Sequence, residues 1–273
     1  MRTISWDIVV DTCLFSPLGL QPRALFSHSW NGLARWFKAH VVSFPKLLGD
    51  KRYGMVFLGI HLSYDQPLGF FDADTVRVDA SVSLLRRGSR VRLQTEFFAA
   101  DRRAAEMSFL LCPVAIDDGV SLAARPAAFP ESIQEYFLPD ERGEQSPPRV
   151  VPDLVSTIAA RGRELASGSQ PFFVHRHYGE VADQWSFTEI PCICESARES
   201  LALARHEDVP VLRHGLSKPL RSIDVELQRP YFVFDSGRVD TETYDVDGRL
   251  AMIHKLCSSQ PGGQLHGTVV ERF

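Results

Sequence analysis

The sequence predicts an α+β fold in two related copies, each an antiparallel sheet wrapped around one long helix. Three observations carry that expectation. Apolar residues alternate with polar ones over several runs in both halves, a helical apolar stripe precedes the strands of each half, and part of the first half lies over part of the second without a gap. A sheet with one apolar face and a helix with one apolar stripe each need cover, and each can supply the other's.

Taken in order, residues 4–11 read as a first strand, and a loop rich in Pro and Gly follows from Ser16 to Pro22. Trp30, Leu33, Phe37 and Val41 then keep helical spacing, with Ser27 or Ser29 as N-cap and Gly32 weakening the interior. This reads as a shorter version of the later helix. Strands are expected at 53–64, 75–85, 90–99 and 104–114, because Val76, Val78, Ala80, Val82 and Leu84 alternate with polar residues, as do Val91, Leu93, Thr95 and Phe97. Arg86–Ser89 and Asp101–Arg103 are the expected hairpin turns. Pro and Gly then accumulate, so the expected organisation is a first domain over 1–116, a linker with one short helix (154–165) over 117–167, and a second domain over 168–273.

The second domain opens on a strand at 170–177. A short loop, His177 to Trp185, feeds the long helix, where Phe187, Ile190, Cys194, Ala197, Leu201 and Ala204 form one stripe. Thr188 is preferred to Ser186 as N-cap, because a start at Ser186 would carry Pro191 past the first turn. Strands return at 222–228, 237–244, 249–257 and 264–272. The run from Ile60 to Val76 matches the run from Ile223 to Val239: Pro67 with Pro230, Phe71 with Phe234, Asp72 with Asp235. We read an internal duplication whose two copies pack as a pseudo-dimer within one chain.

Composition narrows the function. The 273 residues are 44% hydrophobic and 23% charged with a formal net charge of −4, as in a soluble globular protein, and the mildly acidic balance offers no basic face for nucleic acid. No apolar run is long enough for a membrane span. Cys13, Cys112, Cys192, Cys194 and Cys257 are odd in number and lie in apolar contexts, which suits thiols in a reducing, cytoplasmic compartment. His175 and His177 share a face of the expected strand, but no third and fourth ligand follow at a recognisable spacing, so no metal is expected. Serine-hydrolase elbows, phosphate-binding loops and dinucleotide fingerprints are missing.

Gly179-Glu-Val-Ala-Asp183 resembles the Gly-His-Val-Asn-Asn loop of hotdog-fold thioesterases, and Glu195-Ser-Ala-Arg198-Glu-Ser-Leu201 resembles the Glu-x-Ala-Arg-x-x-Leu stretch of their central helix. The tandem copy is similar to the double-hotdog arrangement of acyl-thioester enzymes. In this chain the motif's His position holds Glu180, and its two Asn positions hold Ala182 and Asp183. The resemblance implies a double hotdog acting on acyl groups carried on coenzyme A or acyl-carrier protein. Thioesterase-like hydrolysis is the first reading. Hydration or dehydration, acyl transfer coupled to decarboxylation, or acyl binding without catalysis on the same scaffold are the alternatives. No cofactor is implied beyond the CoA or phosphopantetheine of the substrate, and the chain is a pseudo-dimeric monomer or a homodimer of such chains.

On that reading the positive amino end of the helix polarises the thioester carbonyl and a nearby carboxylate activates water. Asp183, Glu189 and Glu195 are the candidate bases, with His177 as a general acid or base. His28 of the first copy would pair with Glu189 in a hydratase. Gly179, Glu180, Trp185 and Asn31 would contact substrate, Tyr53 would serve an acyl transfer with decarboxylation, and Arg86 and Arg87 would meet phosphates or an acidic carrier. Each has a structural reading too. Glu189 can complement the helix dipole, Glu195 can pair with Arg198, Asp183 can close an Asx turn, and the arginines can be solvated turn residues.

Overall fold

The computed structural model describes residues 1–118, 122–145, 147–260 and 262–273. The chain divides into two compact units, Met1–Ser16 with Ala24–Pro148, and Pro17–Arg23 with Arg149–Phe273. The stretch expected as a linker includes residues 119–121 and 146, which lie outside the described residues.

In the first unit the main strands are β1 (Thr3–Val9), β2 (Tyr53–Tyr64), β3 (Thr75–Leu85), β4 (Arg90–Ala99) and β5 (Arg102–Ile116). They pair antiparallel in the order β1-β3-β4-β5-β2. One cross-strand row, Ala80, Thr95, Met107 and Leu62, is buried because alternation puts all four on one face. Helix α1 (Pro22–His40) lies against that face, where the Ser29 hydroxyl donates to the Met107 sulfur at 3.3 Å. Gly32 is needed there rather than merely tolerated. A Cβ at that position would stand 2.7 Å from the Trp6 ring and 3.2 Å from Ala80, so only glycine lets helix and sheet approach. A short helix α2 (Phe44–Gly49) leads into β2.

The segment after β5 is packed rather than linker-like. Ala124–Pro126 pairs with Val114–Ile116, and Phe129, Ile133 and Phe137 are buried. Glu141 is buried and accepts from the Arg2 guanidinium at 2.6 Å, and burial, which alone would raise its carboxyl, is outweighed by Arg2, holding it at about 2.

The second unit carries α3 (Val150–Arg161), β6 (Arg163–Phe173), α4 (Ile190–Arg205), α5 (Pro210–Gly215), β7 (Ser222–Leu227), β8 (Ser236–Val246), β9 (Arg249–Ser258) and β10 (Leu265–Arg272). Its sheet runs β6-β8-β9-β10-β7, which is the order of the first unit, strand for strand. Alternation again decides the faces. Met252 and Leu250 join Ala166, Leu201 and Ala202 on the α4 side, whereas Ala251, Ile253 and Val270 pack with Val151 and Ile158 of α3 on the other. The duplication extends to a turn. Asp72 accepts from the Gly69 N–H at 2.7 Å, and Asp235 accepts from the Phe232 N–H at 2.8 Å, in the two positions that the sequences align.

Several expected boundaries move. α1 begins at Pro22, so Ser27 and Ser29 lie inside it, and with 19 residues it is longer than α4 with 16. Proline suits a first turn because its missing N–H would be unpaired anyway. The turn between β4 and β5 is Ala100–Asp101, both at positive φ, and Arg103 is in the strand. The short helix runs from Val150 to Arg161, capped by Gly162, rather than over 154–165, and β6 starts directly after the cap and stops at Phe173, well before His177. His175 therefore precedes a 3-10 turn, Arg176–Tyr178, and His177 lies within it, so the two do not share a strand face. A 3-10 turn over Phe187–Glu189 precedes α4, so the helix starts at Ile190 with Pro191 in its first turn, and Glu189 takes the N-cap position assigned to Thr188. On α4 the stripe holds from Ile190 to Leu201, but Ala204 is exposed and Ala202 and Arg198 are buried instead.

Candidate functional site

Residues 177–186 of the second unit form a small closed loop at the amino end of α4. Gly179 bridges Trp185, and the Glu180 N–H donates to the Gln184 carbonyl at 2.8 Å. A Cβ on Gly179 would stand 2.6 Å from Val233, which explains the glycine. The loop is stitched to residues 231–233, since Trp185 N–H donates to the Tyr231 carbonyl and Val233 N–H to the Asp183 carbonyl, at 2.9 and 2.8 Å. Asp183 sits at φ +53°, a left-handed position that an aspartate accepts more readily than most residues.

The structure thus brings Gly179, Glu180, Asp183 and Trp185 together, with the exposed His177 ring at the edge, 4.0 Å from Tyr178 and 5.6 Å from His175 between ring centres. Glu180 has no ion-pair partner among the described residues, and desolvation alone pushes its carboxyl upward although the residue as a whole stays exposed. Glu189 differs in kind. It is buried, and the Arg23 guanidinium donates to it at 2.7 Å. Glu195, further along α4, is exposed, with its side chain about half covered; desolvation raises its carboxyl, and Arg198 at 3.2 Å opposes the rise.

Arg198 reaches further. Its guanidinium donates at 2.6 Å to Glu271 on β10, which also meets the His254 imidazole at 3.2 Å, and His254 contacts the Thr241 hydroxyl at 2.8 Å. All four are buried. Burial alone would raise Glu271, but Arg198 and then His254 outweigh it and hold the carboxyl at about 2. Sequence reasoning found Arg198 and missed Arg23, Tyr231, His254 and Glu271. Only Tyr231 left a signal, because it aligns with Leu68 in the duplication, a polar residue where the other copy has an apolar one.

The first-unit candidates are placed as follows. α1 starts at Pro22, so His28 and Asn31 occupy its second and third turns rather than its start. Burial lowers the His28 imidazole, with Asp11 opposing, and Asn31 accepts from Arg35 at 2.6 Å. Tyr53 packs its ring 5.8 Å from Phe129. Arg86 and Arg87 are exposed in a hairpin at positive φ, and Arg87 stands 3.9 Å from Glu144. Among the described residues no group of three or more His, Cys, Asp or Glu could hold a metal ion, and no helix is long and apolar enough to cross a membrane.

A five-stranded antiparallel sheet in this order, with one long helix on its inner face, places the chain in the fold of hotdog thioesterases. The solved structures it resembles along its whole length include a putative oleoyl thioesterase from Lactobacillus plantarum, with a TM-score of 0.73 and 9% identity over 99% of this chain and 95% of that one. A 12:0-ACP thioesterase from Umbellularia californica follows, at 0.70 and 10% over 99% and 93%. An acyl-ACP thioesterase from Bacteroides thetaiotaomicron gives 0.68 and 10% over 99% and 97%. No protein-family model matches the chain, and no curated protein matches it in sequence.

Proposed function

We propose that the protein hydrolyses an acyl thioester carried on coenzyme A or on an acyl-carrier protein, as a soluble intracellular enzyme whose two units are two hotdogs of one chain. The observation that carries this reading is Glu180: a carboxylate with no ion-pair partner among the described residues, raised by desolvation, in the loop that opens the helix and at the position of the thioesterase motif's His. The whole-chain likeness to proteins described as thioesterases supports the reaction class.

In this mechanism the thioester carbonyl lies near the amino end of α4, where the helix dipole favours negative charge. Glu180 takes a proton from water as the hydroxyl oxygen adds to the carbonyl carbon. The tetrahedral adduct then collapses, the carbon–sulfur bond breaks, and the thiolate receives the proton from Glu180. The products are a free acid and a free thiol. Glu189 is held by Arg23 and serves the fold of the helix entry.

The test is thiol release from a panel of acyl-CoAs and acyl-carrier proteins. Glu180→Gln is expected to lower kcat by about a hundredfold or more with KM little changed, while Glu189→Gln acts mainly on stability. A base works deprotonated, so activity falls as pH drops through the Glu180 pKa, and the acidic limb lies above the ordinary carboxylate value of 4.5. Full activity in Glu180→Gln removes the assignment. Glu180, Ala182 and Asp183 replacing the motif's His and Asn residues favour one other outcome, saturable acyl binding with no thiol released.

A further inference from the structure

Beneath the Glu180 loop lies a nest of rings. Trp185 stacks on Phe172 at 5.7 Å, Tyr231 meets Phe172 edge-on at 5.2 Å and Trp185 at 5.6 Å, and His266 stacks on Tyr231 at 3.8 Å. Trp185 and Tyr231 are 9% and 3% exposed. The indole Nε1 of one and the hydroxyl of the other are both buried and have no hydrogen-bond partner among the described residues.

Two such donors are costly, since each gave up water and received nothing in return. The adjacent acceptors are already in use. The Tyr231 carbonyl takes the Trp185 N–H, and the Pro230 carbonyl faces the His266 Nδ1 at 3.1 Å. A buried water wants about three polar partners, and these ring walls offer two donors. Nor does packing require the hydroxyl, because Leu68, the residue aligned with Tyr231 in the first unit, fills its own buried place without one. Burial pushes the Tyr231 phenol upward, so it stays a donor at any working pH. An indole N–H can only donate. The missing partner is therefore an acceptor that none of the described residues supplies, and the same loop holds Glu180.

We propose that Trp185 Nε1 and the Tyr231 hydroxyl form a two-donor receptor for the carbonyl oxygen of the bound acyl thioester. The inference rests on the proposed thioester reading and assigns the substrate atom that this side of the site takes. Ligand entry moves the loop from its closed position to admit the carbonyl.

The experiment compares two non-hydrolysable ligands with the same acyl chain on the full-length protein: an S-(2-oxoalkyl)-CoA, which keeps a carbonyl, and an S-alkyl-CoA thioether, which lacks it. Wild type is expected to bind the ketone more tightly. Tyr231→Phe is expected to erase that preference by about tenfold, with thioether affinity unchanged and the melting temperature equal or higher, because a buried unpaired hydroxyl is gone. Trp185→Phe is the second variant and should also lose the preference. Equal binding of both ligands by wild type, binding of neither, or an intact preference in Tyr231→Phe whatever its melting temperature would overturn the receptor. If wild type prefers the ketone yet releases no thiol from any thioester, hydrolysis falls and the receptor stands; thiol release without a ketone preference gives the reverse.

Discussion

Two carboxylates at the entry to α4 have opposite electrostatic fates, and the neighbouring side chain makes the difference. Glu189 is buried and neutralised by Arg23, whereas Glu180 has only the desolvation of its loop. Both are glutamates beside a helix start, so residue type alone could not separate the acid held by an arginine from the one raised by desolvation. The same scale governs the hairpin between β4 and β5, where Ala100 and Asp101 sit at φ +47° and +60°. Alanine there crowds its Cβ against the following carbonyl, so Ala100→Gly is expected to stabilise the fold by roughly 0.5 to 1 kcal/mol after the entropic cost of glycine, read from the urea midpoint. The turn expected at Asp101–Arg103 was displaced because alanine gives no turn signal, and because Arg103 is needed in the strand, where it pairs with Asp65, Glu96 and Glu106.

At the scale of the element, α4 is pinned to its sheet by charge as well as by its apolar stripe. Arg198 joins the helix to Glu271 on β10, a residue 73 positions away, and the i,i+3 contact to Glu195 is the longer of its two bonds. Helical spacing made the local partner legible and could not reveal the distant one. Removing one member of a buried pair leaves the other charge stranded, so Glu271→Gln is expected to cost about 3 to 5 kcal/mol, and replacing both members with apolar residues should recover much of it. Because the folded carboxyl is held at about 2 against an ordinary 4.5, its contribution is complete above 4.5 and is lost as pH falls from there toward 2. Acid unfolding of wild type and Glu271→Gln by circular dichroism checks this: the variant should lack that part of the pH dependence.

At the scale of the whole molecule, one strand order is used twice, and the aligned aspartates Asp72 and Asp235 close the same turn in both units. The division of the chain does not follow sequence order, since residues 17–23 belong with the second unit and supply Arg23 to Glu189. Arg23→Ala in the full chain is therefore expected to destabilise the second unit rather than the first. The loss should be about 1 kcal/mol, because the arginine is about half exposed and its pairing is partly screened. Hydrogen exchange resolved along the chain distinguishes the two units, and faster exchange confined to the first would contradict the assignment.

The sequence by itself determined the strands at 53–64, 75–85 and 90–99, the buried stripe of α4 and the repeat, because alternation and helical spacing are local consequences of backbone geometry. It also marked the Gly179–Trp185 loop. Tertiary structure alone decided where α1 begins, that Gly32 marks a close approach, that Arg23 neutralises Glu189, and that Tyr231 and Trp185 keep two buried donors without a partner among the described residues. Each of these depends on which distant groups share a low-dielectric volume. Spacing along a chain records neither the neighbours nor the water they exclude.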